Sequence, residues 1–150
     1  MKWVNGVGWV GSAAQPTAAA DPISPQSAPV RRLRELEAHF VKLVLEAANE
    51  HWPLGAPTIH AVKSLPEADG VWFLCPLCFT RNGGSMGTHM VGCWFRGRVP
   101  DWVDPKPGRW TPFGTGIDDL TFVPPPASIS VFLTSGCMWH GHIKQGAATA

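Results

Sequence analysis

The sequence predicts an α+β fold in which one N-terminal amphipathic helix precedes a small, loop-rich, mainly antiparallel β domain that needs a staple. Three observations carry this expectation. Between residues 31 and 51, Leu33, Leu36, Phe40, Val44 and Ala47 recur at helical spacing, and Val41, Leu45 and Ala48 widen the stripe. After Gly55 the chain breaks into short apolar runs separated by turn residues, the pattern of strands. The 15 Pro and 16 Gly among 150 residues keep elements short, because proline removes a backbone donor and glycine costs more entropy to order.

The helix over 31–51 has an entry signal in Ser27 and Pro29, and Pro53 ends it, since the residue before proline avoids helical geometry. Its charged side, with Arg31, Arg32, Arg34, Glu35 and Lys42, mixes signs and reads as a solvated face. Strands are expected at 71–74, 90–95, 120–123, 129–134 and 142–144. Proline-rich connections at 104–108 and 124–126 separate them, the second read as a stiff connector.

A chain of 150 residues, 45% of them hydrophobic, supports one core and one domain. We place that domain at 31–146, after an extension at 1–30 and before a tail at 147–150. Residues 11–29 are Ala, Ser, Pro, Gln and Thr with one charge, the composition of a flexible linker. They isolate an apolar patch, Trp3, Val4, Trp9 and Val10, able to dock on the body or on another chain. Twelve Lys and Arg against 11 Asp and Glu give a formal charge of +1, so electrostatics neither selects nor excludes nucleic acid. Residues 1–20 loosely imitate a secretory signal, but Asn5, Gly6, Gly8 and Gly11 break the apolar run and Lys2 is a thin positive region; secretion is not expected. No stretch approaches the roughly 20 apolar residues of a membrane span. The expected location is a reducing cytoplasm without membrane contact, where cysteines bind metal more often than they pair.

Cys75-Pro-Leu-Cys78 follows an apolar run directly, so the chain leaves a strand and turns around two thiols. Far downstream, Cys137-Met-Trp-His140 repeats the arrangement after another apolar run and Gly136. Two strand-then-knuckle units at the same internal spacing supply three sulfurs and one nitrogen, a set that suits one tetrahedral, structural Zn2+ in zinc-ribbon style. A Cys-x-x-Cys redox pair would want a helix after the motif, which Asn82-Gly83-Gly84 opposes. Disulfides in an exported protein and buried free thiols are the other readings.

Cys93 lies inside an apolar run and reads first as a small buried hydrophobe. His89, Cys93 and His142 are also a candidate second site, with three ligands and an open position of the kind that activates water. That reading makes the protein a zinc-dependent hydrolase or other enzyme, with Asp118 and Asp119 as general-base candidates. Residues 82–87 lack the lysine and following helix of a phosphate loop. Trp72, Trp94, Trp102, Trp110 and Trp139 read as core around the zinc site. Beside three of them, Arg96, Arg98, Lys106 and Arg109 leave weak nucleic-acid binding open. Nothing sets the oligomeric state.

Between residues 73 and 146 the pieces Phe73-Leu-Cys-Pro-Leu-Cys-Phe79, Asn82-Gly-Gly84, Gly87-Thr-His89, Cys93-Trp-Phe95, Pro105-Lys-Pro-Gly-Arg-Trp110 and Gly136-Cys-Met-Trp-His-Gly141 occur in order. This stretch resembles a family of small uncharacterised phage and prophage proteins. The resemblance implies phage origin, expression in the cytoplasm of an infected host or incorporation in a virion, and a variable extension before Arg31. Some relatives carry an ammonia monooxygenase label, which a chain without a membrane-spanning stretch gives no ground to adopt. The expected function is a phage-encoded zinc-binding accessory protein that binds another macromolecule, most naturally a protein. A virion component docked through residues 3–10 is an alternative.

Overall fold

The helix expected over 31–51 does not form. In the computed structural model, which describes residues 30–123 and 130–149, this segment opens as strand β1 (Arg31–Arg32), makes one tight turn and continues as strand β2 (His39–Leu45). Leu33 and Leu36 do sit at helical spacing, and the Leu36 N–H lies 3.3 Å from the Arg32 carbonyl and 3.0 Å from that of Leu33. The turn stops at Glu37, whose φ of 56° is left-handed and cannot continue a right-handed helix. β2 then pairs on both sides, with β3 (Pro57–Val62) and with β4 (Gly70–Leu74). Phe40 belongs to the main core and Val41 to a second apolar cluster. A strand buried on both faces carries consecutive apolar residues, and such a run contains the i, i+3, i+4 spacing of a helix. Two-sided pairing decided between the two.

The remaining elements are α1 (Pro76–Asn82), β5 (Met90–Trp94), β6 (Thr111–Phe113), β7 (Thr121–Val123), β8 (Ser130–Phe132), β9 (His140–Lys144) and β10 (Ala147–Thr149). They form one sheet ordered β3-β2-β4-β5, a second ordered β1-β10-β9-β8, and a ribbon β6-β7, with every strand pair antiparallel. Among the described residues the class is therefore mainly antiparallel β with one α-helix, α1, and the helix expected at 31–51 is not there. The strands expected at 71–74, 90–95, 120–123, 129–134 and 142–144 are present with shifted ends. Ala147–Thr149, expected as a tail, pairs with both β1 and β9 because Ala147 and Ala148 are buried. The apolar patch at 3–10, the linker at 11–29 and the proline connector at 124–126 lie outside the described residues. No helix among the described residues is long and apolar enough to cross a membrane.

One core joins both sheets: Val71, Phe73, Val91 and Cys93 from the first, Val131, Ile143 and Ala148 from the second, with Trp139 beside them. Full burial of each large apolar side chain contributes about 1.5–3 kcal/mol. A smaller cluster, Val41, Trp94, Val99 and Val103, has Trp72 and Trp102 packed against it. The loop above it is held by Arg109, which donates to the carbonyls of Pro100, Val103, Pro105 and Gly108 at 2.8–3.0 Å. Arg98 donates to the carbonyls of Leu65 and Ala68. Two of the four cations of the nucleic-acid reading thus serve loop structure, and Trp94, Trp110 and Trp139 are buried rather than displayed as a stacking platform.

The loop after β6 is organised by Asp119, which accepts hydrogen bonds from the Thr115 and Gly116 N–H groups and from Thr115 Oγ1 at 2.9–3.1 Å. These bonds, the Thr115 N–H first, hold its carboxyl below the ordinary range. A folded-state value below the unfolded one stabilises the fold above about pH 4, and the benefit is lost as pH falls through that region. Asp119→Asn is therefore expected to lower Tm at neutral pH and to shrink the further drop seen on acidification to about pH 3. An unchanged acid response in the variant would remove Asp119 from the account. Asp118 is paired with Arg34 at 2.7 Å, and the hydrogen bond from Arg34 lowers its pKa as well. Both carboxylates, general-base candidates by sequence, are tied down as anions by local partners.

Candidate metal centre

Four donor groups meet where β4 runs into α1 and where the β8–β9 turn approaches them. The β4–β5 register places Leu74 opposite Met90, and one step further the Cys75 N–H donates to the His89 carbonyl at 2.9 Å. Cys75 and His89 are therefore cross-strand neighbours, held by the extended ladder. Cys75 also caps α1, whose Pro76 sits in the first turn, where a missing N–H costs nothing. Cys78 follows within the first turn, which returns its sulfur toward Cys75. The helix ends at Gly83, with φ 71°. The Asn82-Gly83-Gly84 signal thus ends a helix that does follow the first cysteine, instead of opposing one as the sequence reading held. What separates this motif from a simple redox pair is its company, a third sulfur and an imidazole.

The third sulfur comes from the turn between β8 and β9. The Leu133 N–H donates to the Trp139 carbonyl at 2.9 Å and closes the turn, and left-handed Gly136 (φ 68°) and Met138 (φ 61°) flank Cys137. Cys137 Sγ lies 3.5 Å from Cys75 Sγ and 3.4 Å from His89 Nε2. His89 Nδ1 is 3.3 Å from the Met90 carbonyl. A carbonyl only accepts, so this contact places the ring proton on Nδ1 and leaves the Nε2 lone pair facing the sulfurs. The ligand atoms of Cys75, Cys78, His89 and Cys137 all lie within 4.8 Å of one another, an arrangement able to hold a metal ion. Cys75 is buried, Cys78 and Cys137 are half-buried, and His89 is exposed. A groove of about 720 Å³, lined also by Val91, Trp110 and Phe132, runs past Cys78, His89 and Cys137.

The crowding of sulfurs has an electrostatic cost. The hydrogen bond from Cys75 draws the Cys137 thiol down to about 4. That same bond, and then burial, push Cys75 up, while burial is the first cause raising Cys78. One thiolate forms readily and the others resist, so three thiolates together call for a cation among them.

Three of the four expected ligands are brought together; His140 is not. β9 begins at His140, and in an extended strand neighbours point to opposite faces. Trp139 is buried at 2% exposure, so His140 turns outward, where its ring lies 4.9 Å from Phe132 and 6.3 Å from His142. His89 takes the fourth position. The second site expected from His89, Cys93 and His142 is not assembled among the described residues. Cys93 is fully buried in the core on β5, where desolvation raises its thiol pKa, and His142 lies on β9 beside His140. The available signal for His89 was the hairpin register: pairing the apolar runs at 71–74 and 90–95 in antiparallel order sets residue 75 opposite residue 89. Compared with family models, curated proteins and solved structures, the chain matches none.

Proposed function

We propose that the protein is a zinc-stapled accessory protein in which one structural Zn2+, held by Cys75, Cys78, His89 and Cys137, locks the fold and the body acts by binding another macromolecule. The observation that carries this reading is the donor geometry. Tetrahedral zinc, with Zn–S of roughly 2.3 Å and Zn–N of roughly 2.0 Å, sets S···S near 3.8 Å and S···N near 3.5 Å. The contacts of 3.5 and 3.4 Å are close to those spacings. Three thiolates and an imidazole favour zinc over hard oxygen-seeking cations, and four protein ligands leave no position for a reactive water. His89, spent as a ligand, is no longer free for the hydrolase reading.

A protein partner is supported by apolar side chains exposed on the β2–β3 hairpin and its connecting loop, Leu45, Trp52, Leu54 and Ile59, each 40–65% exposed. The phage origin and host-cytoplasm setting rest on the motifs quoted above. Elemental analysis of protein purified without added metal is expected to find one zinc per chain. His89→Ala should lower that ratio sharply and His140→Ala should leave it unchanged. A metal-free wild-type protein, or the reverse pattern in the two variants, overturns the assignment.

A further inference from the structure

The same four residues suggest how the staple is released. We propose that the centre is a peroxide-responsive switch in which oxidation joins Cys75 to Cys137 and expels the metal; this rests on the zinc reading above. The geometry is asymmetric. Cys137 is half-buried and lines the groove, whereas Cys75 is 0% exposed, with its sulfur 3.5 Å from that of Cys137. An oxidant entering by the groove meets Cys78 and Cys137, and for Cys137 the buried Cys75 sulfur is already in place at 3.5 Å to resolve the product.

The chemistry balances without a further reagent. The Cys137 thiolate attacks one oxygen of hydrogen peroxide; the S–O bond forms, the O–O bond breaks and hydroxide leaves, giving a sulfenic acid. The Cys75 thiolate then attacks the Cys137 sulfur; the S–S bond forms, the S–O bond breaks and a second hydroxide departs. Each sulfur has lost one electron, and peroxide has taken two. Two of the four donors are consumed, and the remaining Cys78 and His89 are too few to retain zinc.

The product differs from a simple loss of metal. Cys75 and Cys137 are 62 residues apart, so their disulfide keeps the long-range closure that zinc supplied. It frees the His89 imidazole, while the backbone of 83–89 stays held by Asn82 donating to Thr88, Thr88 donating to the Gly84 carbonyl and the Cys75 N–H donating to the His89 carbonyl. Oxidation therefore removes the metal, bares the His89 ring and leaves the corner between the sheets tied.

The test uses the full-length zinc-loaded chain and hydrogen peroxide, with a chromogenic zinc indicator and mass-spectrometric mapping of linked peptides. The expected result is release of one zinc per chain together with a Cys75–Cys137 linkage, Cys93 remaining reduced, and recovery of the bound zinc after dithiothreitol and added Zn2+. Zinc retained under peroxide, or released with a Cys75–Cys78 linkage or with Cys137 over-oxidised and unpaired, overturns the switch while leaving the zinc staple standing. A chain holding no zinc before peroxide overturns both.

Discussion

Cys137→Ser is expected to yield a chain that holds no zinc and shows no cooperative thermal transition. The change removes little packing, since Cys137 sits half-buried at a turn and serine has nearly its shape. Its effect is on the metal. Structural zinc supplies on the order of 10 kcal/mol in small metal-dependent folds. A domain of this size has roughly 5–15 kcal/mol of net stability, so losing the ion removes most or all of it. Chelation of the wild-type protein should reproduce the loss. Cys93→Ala provides the contrast: a buried cysteine outside the centre, whose truncation costs about 1 kcal/mol in packing and leaves the zinc in place. A metal-free Cys137→Ser protein melting cooperatively within a few degrees of wild type would show the staple to be dispensable.

Gly141→Ala should be the next most damaging change, for a reason unconnected with metal. A Cβ at this position would lie 1.8 Å from the Thr149 carbonyl oxygen and 2.7 Å from the ring of Trp139. Neither neighbour can step aside. Thr149 belongs to β10, which pairs with β9 on one side and β1 on the other, and Trp139 is 2% exposed against Phe73. Relief requires β9 and β10 to part, at about 3 kcal/mol or more, which corresponds to a fall in Tm of about 10 °C. Gly116→Ala is the matched control, because a Cβ there meets nothing within 4 Å and the backbone is extended at φ −173°. Equal melting temperatures for the two variants would refute the steric account.

These residues show what was legible in the sequence. The apolar runs after residue 70 announced their strands because turn residues bounded them, and the two cysteine motifs announced a cluster able to hold a metal because three of its four donors, Cys75, Cys78 and Cys137, lie in them. The segment at 31–51 misled because β2 is apolar on both faces, and periodicity alone does not separate a doubly buried strand from a helix. Pairing with β3 and β4 is a long-range fact that no local window contains. The fourth ligand failed for a related reason. His140 was favoured by its distance from Cys137 along the chain, whereas ligand choice depended on where β9 begins and on the ladder that sets His89 against Cys75. Sequence spacing reports local geometry; the site is completed by register.

That ladder also bears on the order of events during synthesis. Three of the four donors lie between Cys75 and His89, in a single hairpin interrupted by α1, and Cys137 follows 48 residues after His89. A chain emerging from the ribosome presents this three-donor hairpin before the C-terminal sheet exists. It has a partial metal trap at a stage when β8, β9 and β10 have yet to be made. On the zinc reading, the arrival of Cys137 would complete the coordination shell and tie the late-made sheet to the early one.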